Sequence, residues 1–345
     1  MSMKRVTVMP GEHQFEASDK QDLLQAALGA GINLSHGCSN GQCGRCIAHL
    51  VEGEISRLGH ADYPLGELQR EQGYFLTCCH GARSDLRIEV ATVSSAQQVP
   101  EQHIATRVYR LKPLSDEVMS VTLKTPRTAV LEFLAGQYMT LDLGHGLQRN
   151  KSLASCPCNG LKPEFHVRRR AGDHFSEYVF QQLRKNDRVT ITGPYGDFIA
   201  TEDERLPLLL IAFDTGFASI KSLLEHFIAQ QRETPIRLFW LTSGSDKPYM
   251  YNYCRSLHDA LDNFEFTRVL SVAENFGAVT RVLGSILHRT EQRQPHIVYV
   301  TVPHQCMDKA QHWFLQQGVA PQRLHLDRVE WFGADDDRQC AWQDR

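Results

Sequence analysis

Cys38, Cys43 and Cys46 stand in C-x4-C-x2-C spacing on one short loop, and Cys78 follows after a gap of 31 residues. Three thiolates from one loop and a fourth from a distant segment can ligate two bridged irons tetrahedrally, the chemistry of a [2Fe-2S] electron carrier. The intervening Gly37, Gly41 and Gly44 let the backbone turn tightly and aim amide N–H groups at the sulfurs, where such hydrogen bonds tune the potential. A zinc site would more usually show two Cys-x2-Cys knuckles, and a disulfide framework suits a short secreted chain better than one of 345 residues. Cys79 competes with Cys78 as fourth ligand, but adjacent residues point in different directions, so one of the two faces the irons.

Three blocks of chain must position this chemistry. In the first, Val6 and Val8 alternate with polar residues and Pro10-Gly11 makes a turn. Ser18-Asp-Lys-Gln21 then reads as a capping box ahead of Leu24, Ala27 and Leu28, and Gly29 and Gly31 end the helix before the cysteine loop. Leu86–Val90 reads as a closing strand, and the stretch from Ser94 to Pro100 as a linker. The second block carries short strands at His103–Tyr109, Val118–Leu123, Tyr138–Leu143, Phe165–Arg170 and Arg188–Thr192, interrupted by a helix near Phe175–Leu183, as in an antiparallel barrel. From about residue 204, apolar strands at Leu208–Phe213, Ile236–Leu241 and His296–Val302 alternate with helical spacing at Ile220, Leu223, Leu224, Phe227 and Ile228 and at Met307–Gln317. That alternation predicts a parallel sheet with helices on both faces. The tail from Asp335 to Arg345 is expected to be poorly ordered.

Composition narrows the function classes. The net charge of −3 argues against a general nucleic-acid surface, and all of that excess sits in residues 1–94, with eleven acidic against eight basic side chains. A hydrophobic share of 42% and a mean hydropathy of −0.35, with no long apolar run, predict no membrane span. Ten cysteines and an N-terminus without a signal-like apolar stretch predict a reducing, cytoplasmic setting.

The first block resembles the fused plant-type ferredoxin domains of bacterial oxygenase reductases over about residues 3–93, through His36-Gly-Cys38-Ser-Asn-Gly-Gln-Cys43-Gly-Arg-Cys46, Gly73-Tyr-Phe-Leu-Thr-Cys78 and Ser84-Asp85. The family's Leu-x-Cys pattern falls on Cys78. The rest resembles the ferredoxin-NADP reductase superfamily. Gly136-Gln-Tyr138, Arg149-Asn-Lys-Ser152-Leu-Ala-Ser155 and Gly193-Pro-Tyr-Gly196-Asp-Phe198 carry that likeness. Together the motifs are similar to those of bacterial oxygenase reductases and CDP-6-deoxy-hexulose reductase-like electron-transfer flavoproteins. The resemblance implies a multidomain α+β protein. A β-grasp ferredoxin would occupy residues 1–94, a six-stranded antiparallel flavin-binding barrel 101–200, and a doubly wound parallel α/β domain of the NAD(P)-binding kind 204–334.

The resemblance also implies roles. Cys38, Cys43, Cys46 and Cys78 would hold the iron. Arg149 would meet the FAD pyrophosphate with paired donors, Ser152 would face the flavin's redox-active nitrogen, and Arg168 and Ser176 would approach the phosphates and ribityl chain. Lys151 stands where the family stacks an aromatic ring on the flavin, and Gly172-Asp-His174 stands where a Gly-Gly pair lies near the phosphates. Thr215 and Gly216 fall on the turn that meets the NAD(P)H pyrophosphate, and Thr301 on the cysteine position beside the nicotinamide. That turn reads Phe213-Asp-Thr-Gly216 where relatives have Gly-Gly-Thr-Gly. Val302 replaces the glycine of Cys-Gly-Pro, and Leu241-Thr-Ser243 replaces Gly-x-Arg. Phe213 and Val302 would crowd the dinucleotide and Asp214 would repel it. Trp331-Phe332 could stack on flavin as terminal aromatics do in relatives, or pack against the domain; Cys156-Pro-Cys158 reads as a pair of partly buried thiols or a redox pair.

Two functions follow. The first is an iron-sulfur flavoprotein reductase that takes a hydride from NAD(P)H onto FAD and passes single electrons through the [2Fe-2S] cluster to a partner oxygenase, desaturase or dehydratase. The second is a degenerate reductase acting as a [2Fe-2S] carrier or docking module that does not use NAD(P)H directly.

Overall fold

Val6 and Val8 lie fully buried in β1 (Met3–Met9), as their alternation requires. In the computed structural model the described residues are 3–329, apart from 60, 62, 64, 94, 202–205, 244–246, 272–283, 285–286 and 288–294. The remaining strands of the first lobe are β2 (His13–Ser18), β3 (Ile47–Glu52), β4 (Ile55–Arg57), β5 (Tyr74–Leu76), β6 (His80–Ala82) and β7 (Leu86–Val90). Five of them form a sheet of order β2-β1-β7-β3-β5, in which β1 runs parallel to β7, and β4 pairs with β6. Helix α1 (Leu23–Gly29) packs Leu23, Leu24, Ala27 and Leu28 into the same core. Its cap is Asp22, whose carboxylate accepts the Gln25 amide at 2.8 Å. Ser18 is not the cap, because it is still paired with Met3 in the sheet. A short helix α2 (Glu67–Glu71) precedes β5.

The second lobe is a six-stranded antiparallel sheet built from β8 (Gln102–Pro113), β9 (Val118–Lys124), β10 (Tyr138–Asp142), β11 (Gln148–Ser152), β12 (Glu164–Arg168) and β13 (Arg188–Tyr195), in the order β11-β10-β13-β8-β9-β12. A bridge between Leu153 and Phe165 brings the two edges together, so the sheet nearly closes into a barrel. Helix α3 (His174–Gln181) buries Phe175 and Val179 in the barrel core beside Met139, Phe165 and Ile191.

The third lobe holds β14 (Leu208–Phe213), α4 (Phe217–Ala229), β15 (Ile236–Ser243), α5 (Tyr251–Ala260), β16 (Phe264–Ser271), β17 (Ile297–Pro303), α6 (Met307–Gln316) and β18 (Leu324–Val329). Its strands are all parallel, in the order β16-β15-β14-β17-β18. Every residue of β14 is buried because both faces are covered. Leu208, Leu210 and Ala212 meet the α4 residues Ile220, Leu224 and Phe227, whereas Leu209, Ile211 and Phe213 share a core with Ala310 and Phe314 of α6. Among the described residues no helix is long and apolar enough to cross a membrane. Trp331, Phe332, the C-terminal tail and the 334 boundary lie outside the described residues.

Candidate functional site

The cysteine loop sorts its sulfurs into two pairs. The Cys38 amide donates to Cys43 Sγ at 3.3 Å, and the Gln42 and Cys43 amides donate to Cys38 Sγ at 3.2 and 3.3 Å. Cys46 Sγ lies 3.2 Å from Cys78 Sγ. Gly41 and Gly44 adopt φ of 83° and 75°, the left-handed region that favours glycine. Gly37 serves by closeness: a Cβ there would lie 3.1 Å from Cys43 Sγ. Burial opposes ionisation of Cys38, but the amides of Asn40, Gln42 and Cys43 outweigh it and lower the thiol's pKa. Among the described residues no three ligating side chains converge on a single ion, whereas two thiol pairs are the donor set for two bridged irons. Cys79 Sγ lies 3.6 Å from Cys78 Sγ and is buried, while the contact to Cys46 is made by Cys78.

The loop is tied to the barrel by one buried carboxylate. Glu132, 2% exposed, accepts the His36 amide at 3.3 Å and pairs with Arg45 at 2.5 Å. The cluster end of the first lobe is therefore fixed against the second.

A cleft of roughly 570 Å³, open to solvent, lies between barrel and third lobe, within the size range of ligand sites. Lys151, Ser152 and Arg168 line it from the barrel, and Thr215 and Gly216 from the strand-to-helix turn. The structure thus gathers five of the eight cofactor residues expected from sequence. The other three sit differently. Arg149 is half-exposed and pairs with Asp173 at 2.8 Å. Ser176 is buried and its hydroxyl accepts the Arg170 amide at 3.0 Å, holding the loop before α3. Thr301 is fully buried beneath the turn, where its Oγ1 accepts the Phe213 amide at 2.9 Å; a Cβ on Gly216 would come within 2.2 Å of that oxygen.

His166, Arg170, Asp173 and Arg328 also line the cleft, and sequence reasoning did not select them. His166 and Arg170 were within reach, since strand residues two apart share a face and Arg168 stands between them. Asp173 caps α3 by accepting the Ser176 amide at 3.1 Å.

The altered turn does not project into the cleft as its residue types suggested. Phe213 and Val302 are 3% and 2% exposed, and both side chains belong to the core under the sheet. Asp214 takes a positive φ of 45° and turns its carboxylate onto Arg168, which also pairs with Glu117. Trp240 donates its indole N–H to the Asp214 carbonyl at 3.1 Å and stacks on Phe217 with ring centroids 3.7 Å apart. Burial pushes the Asp214 pKa up and Arg168 opposes that rise.

A buried network joins the lobes behind the cleft. Lys221 of α4, 4% exposed, donates to the Ala154 carbonyl at 2.6 Å and pairs with Glu225 at 2.7 Å and Glu164 at 3.2 Å. Ser222 donates to the Ser155 carbonyl at 2.7 Å. His166 bridges Glu164 at 3.2 Å and the Tyr249 hydroxyl at 3.0 Å. Although burial raises the Glu164 pKa, the His166 hydrogen bond and the Lys221 charge hold it well below the carboxylate range.

The donors present fit an anionic, flavin-sized ligand. Arg168 Nε is buried without a hydrogen-bond partner in a cleft that also displays Lys151, Arg170 and Arg328.

Comparison with known proteins agrees. Residues 6–83 match the 2Fe-2S iron-sulfur cluster binding domain, and residues 105–199 match the oxidoreductase FAD-binding domain. The chain is 32% identical over 316 residues to the terephthalate 1,2-dioxygenase reductase component 1 of a Comamonas species, covering 91% of this chain and 93% of that one. It is 30% identical over 235 residues to a CDP-6-deoxy-L-threo-D-glycero-4-hexulose-3-dehydrase reductase of Yersinia pestis, covering 68% of this chain and 70% of that one. The fold matches the ferredoxin reductase in carbazole 1,9a-dioxygenase with a TM-score of 0.58 at 23% identity, over 95% of this chain and 99% of that one. With its cluster-binding lobe, flavin-binding barrel and parallel third lobe, the chain belongs to the family of iron-sulfur flavoprotein reductases that includes these dioxygenase and CDP-hexulose dehydrase reductases.

Proposed function

We propose that this protein is an NAD(P)H-dependent oxidoreductase component that delivers electrons, by way of FAD and a [2Fe-2S] cluster, to a separate oxygenase, desaturase or dehydratase in the cytoplasm. The observation that carries this reading is the joining of the two centres through the barrel, which forms one wall of the cationic cleft and also anchors the cysteine loop through Glu132. When bound, FAD would turn a two-electron supply into single electrons that the cluster carries.

The chain's own residues supply holding and exclusion. Cys38 and Cys43 would bind one iron, and Cys46 and Cys78 the other. Lys151, Ser152 and Arg168 would hold the flavin from the barrel side, with Arg149 reaching its pyrophosphate once released from Asp173. Thr215 and Gly216 would meet the nicotinamide nucleotide, and Thr301 and Ser176 would shape the site from beneath by fixing the turn and the loop before α3. The alternative, a carrier that does not use NAD(P)H, rested on Phe213, Asp214 and Val302 obstructing the ligand. Two of those side chains lie in the core and the third lies against Arg168, so the obstruction is absent.

Reduction of cytochrome c by the purified holoprotein with NADH or NADPH tests the reading. The expected result is catalytic reduction by at least one nucleotide that collapses in Cys78→Ala. No reduction with either nucleotide, from protein that retains both cofactors, would sink it.

A further inference from the structure

Cys156 and Cys158 lie outside both centres. They flank Pro157 at a single 3-10 turn (Pro157–Asn159) a few residues past Ser152. The Cys158 amide donates to Cys156 Sγ at 3.4 Å, and the two thiols are in hydrogen-bond contact. Their exposure differs: Cys156 is 4% exposed, whereas Cys158 is half-buried. Residues two apart span no more than about 7 Å between Cα atoms, within the reach of a disulfide.

The turn is also where the three lobes meet. It lies against α1 of the first lobe and α4 of the third, and Cys158 packs on the first lobe's core. The Cys156 amide donates to Glu225 at 3.0 Å, the same carboxylate that pairs with Lys221. A change of shape here would be felt by the flavin strand, the cluster lobe and α4 together.

We propose that Cys156 and Cys158 form a reactive dithiol that hydrogen peroxide converts to a disulfide before it damages the cluster, loosening the seat of the cluster lobe on the barrel. Hydrogen peroxide is the relevant oxidant because it forms wherever reduced flavin or iron-sulfur centres meet dioxygen. Cys158, the more accessible sulfur, attacks one peroxide oxygen as its thiolate. The O–O bond breaks, hydroxide leaves and takes up a proton as water, and Cys158 becomes a sulfenic acid. Cys156 sulfur then displaces the sulfenic hydroxyl, the S–S bond forms, and the Cys156 proton departs in a second water. The dithiol loses two electrons and two protons, and one peroxide becomes two waters. Cys158 suits the attacking role, since its hydrogen bond with Cys156 lowers its pKa against burial and the Glu225 charge. Closing the bond pulls Cys156 Sγ away from the Cys158 amide, and the turn on which α1 rests loses its present shape.

The test uses full-length holoprotein titrated with peroxide, quenched by alkylation and mapped by peptide mass. The peptide carrying both cysteines should lose two hydrogen masses and its alkylation while the visible cluster absorbance is intact, and dithiothreitol should reverse this. Cys156→Ser should stop at a sulfenic acid trapped by dimedone, and Cys158→Ser should give neither product. Amide exchange across residues 23–29 should quicken severalfold in the oxidised wild type. Cluster bleaching while both thiols still alkylate fully would overturn the proposal. So would a formed disulfide that leaves exchange in α1 unchanged. Both decisive readings come from the wild type, so they hold even if a variant fails to fold.

Discussion

The cysteine loop and the turn from Phe213 to Gly216 both present backbone to a cofactor, yet they differ in what specifies them. In the loop, side-chain atoms are the chemistry. Cys38 pairs with Cys43 and Cys46 with Cys78, and the glycines serve that pairing. At the turn, the shape of the backbone is the chemistry, and the side chains can leave. Phe213 goes down into the core, and Asp214, in the left-handed region, swings onto Arg168 of the barrel. Motif departures are therefore informative where side chains ligate and much less so where amides do.

The largest test of that contrast is at the cluster. Cys46→Ser should abolish the visible cluster bands and reduce electron delivery to background, while Cys79→Ser leaves the spectrum unchanged. Loss of the bands in Cys79→Ser would mean that the loop is not specified by the two pairs described.

Next is the clasp across the cleft. Arg168→Ala leaves the buried Asp214 carboxylate without its partner and should cost about 3–5 kcal/mol, seen in denaturant melts, with weaker FAD retention on gel filtration. Unchanged stability would show that the turn does not depend on the barrel. At the neighbouring strand, Val302→Gly restores the family's residue but empties part of the core. A loss of about 3 kcal/mol with no gain in NADH affinity is expected. Tighter NADH binding would mean that Val302 does obstruct the site.

The smallest effect depends on pH. Asp327 on β18 accepts the Ser219 hydroxyl at 3.0 Å, and burial pushes its carboxyl up to about 6 from 3.8. A carboxyl with a raised folded-state pKa favours the fold below pH 3.8 and loses that contribution as pH rises through about 6. Asp327→Asn should therefore be more stable than wild type by up to about 3 kcal/mol at pH 7.5, with the gap closing towards pH 4. A gap that widens on acidification would contradict the assignment.

The legible parts of the molecule were those written in local periodicity or ligand type. Alternation marked β1 and β12, all-apolar runs marked β14 and β17, and thiol spacing marked the cluster. Strand β11 has no apolar alternation, since Arg149 to Ser152 present polar atoms on both faces, so only the motif itself pointed to it. The start of α1 was misread because Ser18 has a cap's chemistry but is engaged in the β1–β2 ladder. The Arg168–Asp214 contact joins residues 46 positions apart, and the cap by Asp173 and the tie by Ser176 needed the loop's path. Thr301 lay at the right place in the chain with its hydroxyl committed to a backbone amide, and orientation of that kind has no periodic signature.

The central claim is that the altered turn still admits the nucleotide and that both centres belong to one electron path. Anaerobic titration of the holoprotein with NADH and NADPH, followed by visible absorption with dithionite as the final reductant, tests it most directly. Loss of both flavin and cluster absorbance on adding near-stoichiometric nucleotide is the expected result. Bleaching by dithionite alone would contradict it and leave a carrier whose electrons enter from another protein.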